Sequence, residues 1–584
     1  MSSDVESQKT KKFIEKDAGD GTNRFDQQAH GFTLIVSLLS CAISLFLIAL
    51  DQTIVFTMLE TVGNKWGQYT KVSWIASGYM LTMAMFVQIW GKCSIYFGRK
   101  NLLMISIVIF EIGSLVAALS PSMDALIVGR IVAGIGGGGV QVLVFIVASE
   151  LVPIHKRSLV FALMGVIFSI SSVVGPLMGG AFTEHVTWRW CFYINLPLGG
   201  FALICLSIFF KPPSPKFTWK QRLEQLDYIG MILMSASIVL TLLAMTLGGQ
   251  ELAWDSAGVI VMFILGGLLC IAFCVWNFKY SKSQIIPSAI AKTRAVDMPA
   301  LHLFLSFTMF MGYSIFLTTY FQVVRGYGSM KSGVHLIPMI LSLVISSIST
   351  GILIKTTRFI QPFAIFSAVC GSVGLGLSTL LTENSSLGQM IGLMILPGVS
   401  VGVSLQSGLM SGQVNAPKVE GAVIMTTSFT NFTRSLGGAI GTSLCQVIYN
   451  SSVHNKLKSA YYANPQAFEG ITLPTLQTVL GSPKNIAQLS TQGQTIVLEC
   501  IMTSIYNVFY FCAAIGVAMF VTTLFYSPKR LPKGHEVEKR EDYEQKEMQN
   551  QAQKTDDQQD ECDEGEEGPC EEVKLAASQS SNSH

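Results

Sequence analysis

Four ionisable residues stand inside stretches that are otherwise apolar: Asp51, Glu111, Arg130 and Arg434. Asp51 closes the run that starts at Phe32, in Leu50-Asp51-Gln52-Thr53-Ile54-Val55. Glu111 lies midway along Leu102 to Leu119, Arg130 opens the next run, and Arg434 falls within a late one. A charge in hydrocarbon costs at least ~2.5–3.5 kcal/mol, so these residues are the candidates for proton or substrate coupling. Burial disfavours charge on any carboxylate and lets it take up a proton near neutral pH. The structural alternative has Asp51 and Arg130 snorkelling at an interface and Glu111 making a neutral or paired contact.

Small residues form a second pattern. Arg130, Gly134 and Gly138 recur every four residues and share a helix face, as do Ser171, Gly175 and Gly179, with Pro176 between the last two. Arg434, Gly438 and Gly441 repeat the arrangement late in the chain. Such stripes let helix backbones approach closely, and a Gly-Pro pair within a span weakens the hydrogen-bond ladder at a possible bending point. Reading Gly134 to Gly139 as a phosphate-cradling loop fails, because that loop follows a strand and opens a helix in water.

These residues need helices in lipid to hold them. Half of the 584 residues are hydrophobic, 13% are charged and the mean hydropathy is +0.48, too little charge for a soluble protein of this length. About twenty apolar residues at 1.5 Å rise cross a ~30 Å hydrocarbon core. Such runs predict about fourteen helices, over residues 32–56, 73–91, 102–119, 125–148, 159–182, 193–210, 228–247, 257–277, 299–321, 333–354, 360–381, 387–411, 423–449 and 499–526. The first is too long and too deep in the chain for a cleaved signal and reads as a retained span. Loops on the side of the N-terminus hold sixteen Lys and Arg against eight on the other, which places both termini in the cytoplasm.

Two sequons, at Asn384 and Asn450, fall in loops expected on the opposite side and are glycosylation candidates; a third, at Asn431, lies inside a span. Beyond Glu536 the chain is rich in Glu, Asp, Gln and Lys, a composition that does not bury enough surface to fold. The formal charge of +2 gives no footing for nucleic acid. Most of the twelve cysteines sit in apolar runs as small hydrophobes, and no metal-ligand spacing appears. No nucleophile–base pair appears in the spans, so an enzyme is not expected.

Four ordered motifs between residues 91 and 197 resemble the major facilitator superfamily, and within it the fourteen-helix drug:proton antiporter branch of fungi, and the resemblance covers roughly residues 30–527. Gly91-Lys-Cys-Ser-Ile-Tyr-Phe-Gly98-Arg99-Lys100 is similar to the family's loop between helices two and three. Leu126 to Gly139, with Arg130 and Gly134, resembles the fourth-helix motif, and Gly165 to Gly180, ending Gly175-Pro176-Leu-Met-Gly179-Gly180, the fifth-helix antiporter motif. Trp188-Arg189-Trp190-Cys-Phe-Tyr-Ile-Asn195-Leu-Pro197 resembles the segment that marks the fourteen-helix branch.

The resemblance implies an all-α polytopic membrane protein: a bundle over residues 32–210, an inserted helix pair over 211–298, and a second bundle over 299–527 with an external loop at 450–498. Disordered segments at 1–31 and 528–584 would flank it. It further implies alternating access around a central cavity, a monomer in the lipid bilayer, a small-molecule substrate, and drive from a proton gradient with no cofactor. Asp51 and Arg130 take the positions where the family concentrates function. One departure stands out. The loop motif carries an acidic residue where this chain has Ile95, which leaves Arg99 without that partner, so its latch is weakened or replaced.

The expected activity is export of amphipathic or cationic compounds in exchange for protons, at the plasma membrane or the vacuole. The alternatives are vacuolar transport of lysine, arginine or histidine, which would require carboxylates such as Asp51 and Glu111 in the cavity, and siderophore transport. A non-transporting nutrient sensor is the reading from another class, and the short acidic tail speaks against it.

Overall fold

The computed structural model describes residues 22, 27–68, 71–215, 217–248, 252–419, 421–468 and 489–531. Most of the expected segment 1–31, residues 469–488 of the expected loop 450–498 and the tail from 532 lie outside the described residues. Fourteen long helices carry the fold. They are α1 (Gly31–Ile54), α2 (Ser73–Phe97), α3 (Arg99–Leu119), α4 (Met123–Glu150), α5 (Ile154–His185), α6 (Asn195–Phe209) and α7 (Tyr228–Leu247). The remainder are α8 (Ala257–Val275), α9 (Arg294–Thr319), α10 (Ser329–Thr357), α11 (Gln361–Ser378), α12 (Leu387–Val414), α13 (Ala422–Ala463) and α14 (Thr491–Thr523).

Twelve of the fourteen are long and apolar enough to cross a membrane on that ground alone. The two that fall short, α2 and α13, pack against each other between the two halves of the molecule, where polar side chains find partners. α8 lies at the other extreme: only 17% of its apolar stretch is buried, so its surface belongs in hydrocarbon.

Local chemistry sets the helix ends. Ser122 caps α4 by accepting from the Ala125 amide, and Ser386 with Gln389 forms a reciprocal cap at α12. Gly98 takes φ +89°, a conformation that suits glycine, and turns the chain from α2 into α3 without a loop.

α1–α6 form one bundle and α9–α14 a second; α7 packs on α8 and also reaches α2 and α13. Two seams join the bundles, α5 against α10 and α2 against α13. The chain crosses in alternate directions, so Ala29, bonded to Leu151, and Leu531, bonded to Arg358, lie at one face, here the terminal face. One expected boundary moves far. α13 continues from the expected limit of 449 to Ala463, and at 1.5 Å per residue it is about 60 Å long, twice the hydrocarbon core. Hydropathy stops where lipid stops, but Val453 and Leu457 stay buried and Asn507 of α14 bonds Ser452 at 2.8 Å.

Candidate functional site: a buried charge pair beside a central cavity

α1 and α4 cross inside the first bundle, and there the Asp51 and Arg130 side chains meet. Arg130 Nη1 lies 2.5 Å from Asp51 Oδ2, and the two side chains are 1% and 0% exposed. Snorkelling to water is thereby ruled out for both. Arg130 Nε donates to the Ile75 carbonyl at 3.0 Å, and its guanidinium stacks 4.2 Å from the Tyr79 ring. Desolvating two charges is expensive, and the pair survives because nearly every donor has an acceptor or a ring face.

Asn195 of α6 completes the cluster: its Nδ2 donates to Ser114 Oγ at 3.1 Å and, more weakly, to Asp51 Oδ1 at 3.5 Å. The segment before it is an anchor. Arg189 donates to the Ser120 carbonyl at 2.7 Å and stacks 4.5 Å from Trp188, which packs edge-on against Trp66. Trp190 is half exposed and Pro197 exposed. Glu111 stands apart from the pair. Its carboxylate packs where a side chain on Gly199 of α6 would sit, and neither oxygen has a hydrogen-bond partner among the described residues.

The glycine stripes are the packing that brings these groups together. A Cβ on Gly134 would overlap Thr82 and Tyr79 of α2, and one on Gly138 the Met83 carbonyl. Gly175 and Gly179 seat α5 against Thr53 and Ile54 at the end of α1 and Thr57 in the 3-10 turn that follows, just past Asp51. Pro176, by contrast, faces Gly333 of α10, and Gly180 faces Met330, so the Gly-Pro pair lies at a seam between bundles. Gly165 meets Ser347 and Leu405 of the other bundle.

Between the bundles lies a narrow cavity of about 40 Å³, lined by Gln52, Gln141, Phe168, Phe307, Arg434 and Ser435 among others. It has room for a few waters, far short of the several hundred Å³ a drug-sized ligand occupies. Arg434 of α13 is fully buried, and none of its three guanidinium nitrogens has a hydrogen-bond partner among the described residues. Phe307, Phe145 and Phe168 surround it at 4.8, 5.1 and 5.9 Å. Gln141 Nε2 donates to Ser435 Oγ at 3.2 Å across the bundles, while its Oε1 has no partner. Neither Asp51 nor Glu111 lines the cavity; Asp51 adjoins it only through its neighbour Gln52.

Towards the terminal face the bundles are in contact. Arg157 Nη1 at the start of α5 donates to Gln413 Oε1 of α12 at 3.3 Å, and Gln413 Nε2 donates to Thr427 of α13 at 2.8 Å. Ser428 of α13 donates to Gln88 Oε1 of α2 at 3.0 Å, and Gly91 has no room for a side chain because Ser428 fills it. Ile95 is buried. Arg99 does have a carboxylate, from an unexpected place: Glu150, at the end of α4, lies 3.0 Å from its Nη2. Lys100 donates to the Ser207 carbonyl at 2.8 Å.

Asn384 lies exposed between α11 and α12, but the loop expected to carry Asn450 is helix. Asn450 sits within α13 and accepts from Gln446, so its placement as a loop sequon is corrected. Asn195 belongs to the Trp188–Pro197 motif read from the sequence, whereas the amides Gln52, Gln88, Gln141 and Gln413 escape a reading based on ionisable groups. An amide inside an apolar run is itself the signal, since it too needs a partner there.

A two-bundle helical fold, two interbundle seams and buried charge beside a central cavity define a membrane transporter. The chain belongs to the Major Facilitator Superfamily, whose family pattern it matches over residues 41–442. It is 35% identical to Vacuolar basic amino acid transporter 5 of Saccharomyces cerevisiae over 86% of this chain and 92% of that protein. It is 32% identical to Azole resistance protein 1 of the same yeast (88% and 91%) and 36% identical to the MFS-type efflux pump MFS1 of Arthroderma benhamiae (75% and 82%). In fold it is similar to the human organic anion transporter MFSD10 (TETRAN), with TM-score 0.53 at 13% identity over 85% of this chain and all of that one. The proton:xylose symporter XylE gives 0.51 at 12% identity, over 85% and 97%.

Proposed function

We propose that this protein is a proton-coupled exporter: it carries small amphipathic molecules out of the cytosol while protons move in, with its terminal face in the cytoplasm. The membrane is the plasma membrane or that of the vacuole. Relatives named as efflux pumps and as an azole resistance protein support the direction and the substrate range. The observation that carries the coupling is the buried Asp51–Arg130 pair, one residue from the cavity-lining Gln52. A proton on Asp51 removes one charge of that pair and loosens the tie between α1 and α4. Arg130 then relies on the Ile75 carbonyl and the Tyr79 ring. An ion pair made in one state of a transporter and broken in the other links protonation to the conformational equilibrium, and by reciprocity links substrate to proton affinity.

A second reading, uptake of basic amino acids into the vacuole, has the 35% identical yeast relative in its favour. It lacks the carboxylates that a cationic side chain would meet, because Asp51 is held by Arg130 and Glu111 packs on α6.

The test is purified protein in liposomes with an acidic lumen. Uptake of rhodamine B or labelled arginine that a protonophore abolishes supports proton-coupled transport and identifies which cargo is taken. Uptake of either that is indifferent to the gradient rejects the coupling.

A further inference from the structure

Arg434 is the anomaly of the molecule. It is fully buried and none of its nitrogens meets an acceptor among the described residues, a costly arrangement normally relieved by a carboxylate or a carbonyl. Three phenylalanine rings at 4.8–5.9 Å relieve part of that cost by their negative faces. They cannot accept the fork of N–H bonds that a guanidinium offers. The same side chain lines the central cavity, where no carboxylate is among the lining residues. Beside it, Gln141 Oε1 is a buried acceptor also without a partner. Among the described residues, donors without acceptors thus line the same cavity between the bundles as an acceptor without a donor.

We propose that Arg434 is the seat for a carboxylate on the transported molecule. The apolar body of that molecule lies against Phe168, Phe307 and Met311, and an N–H donor on it reaches Gln141. The inference rests on the transport reading and narrows it to anionic or zwitterionic amphiphiles. A purely cationic compound would bring like charge to Arg434 and bind poorly. Loading requires the cavity to widen beyond its present 40 Å³, as alternating access provides.

The test uses pairs of compounds that differ only in the carboxylate: rhodamine B against its methyl ester, and arginine against arginine methyl ester. Each is measured by stabilisation of the purified full chain against heat, and by gradient-driven uptake. In the wild type the free acid should bind at least about tenfold more tightly than its ester, the range of a charge-assisted hydrogen bond in a buried site. Arg434→Gln should erase that preference, weakening binding of the acid and strengthening that of the cationic ester, and Arg434→Lys should retain part of it. Equal binding of acid and ester by the wild type overturns the proposal, as does an undiminished acid preference in Arg434→Gln. Should the variants fail to accumulate, the acid–ester comparison on the wild type decides alone. Acid-selective stabilisation without gradient-driven uptake would keep the anion seat and reject the transport reading instead.

Discussion

Arg130 and Arg434 are the same side chain in matching surroundings, one in each bundle, both buried and both stacked on aromatic rings. They differ in one respect. Arg130 has Asp51 at 2.5 Å, and Arg434 has no carboxylate among the described residues. The first charge is balanced within the chain, so its partner can be switched off by a proton. The second is balanced by no group among the described residues, which fits a charge waiting for cargo. On the proposed reading one bundle holds the coupling device and the other the recognition device, with the cavity between them.

The largest effect should come from breaking the balanced pair. Arg130→Met leaves Asp51 buried and alone, which costs about 3–5 kcal/mol and should lower the melting midpoint sharply or deplete the protein from the membrane. Arg434→Met should do the opposite: removing an unpaired buried charge should leave the melting midpoint of substrate-free protein unchanged or raised. Equal losses in the two variants would mean that Arg434 has an internal partner and that the contrast is false.

Gly175→Leu comes next. The new side chain collides with Thr53 and Ile54 of α1, two residues from Asp51, and should abolish uptake while protein is still made. If the variant vanishes from the membrane, helix packing accounts for the glycine and gating does not. Gln413→Ala should give the smallest effect. It removes the bond from the Arg157 guanidinium across the bundles, worth about 1.5–3 kcal/mol, and should increase labelling of a reporter cysteine at Ser435 from the terminal face by about tenfold. Unchanged labelling would assign the closure of that face to Gly91 and Ser428 instead.

Much of this was legible in the sequence, for a plain reason. Lipid demands apolar runs, so about fourteen helices could be read from the sequence, twelve of which are long and apolar enough among the described residues to cross a membrane, and the intramembrane charges stand out against them. The partners were harder to read. Asn195 meets Asp51, 144 residues away, and Glu150 meets Arg99, because the bundle folds α6 and α4 against their neighbours. No local pattern encodes such pairings. The extent of α13 past residue 449 was hidden for the converse reason: once outside hydrocarbon, a helix keeps its shape through packing on α14 without an apolar signature. That Arg434 has no hydrogen-bond partner among the described residues is likewise a property of the assembled cavity and invisible in the chain.

The claim on which the account turns is that Asp51 carries the coupling proton. Asp51→Asn in liposomes addresses it with two assays on one preparation: concentrative uptake driven by an acidic lumen, and exchange of labelled for unlabelled substrate with no gradient. The account predicts that gradient-driven accumulation is lost while exchange persists. Accumulation at the wild-type level would contradict it and move the proton to another group.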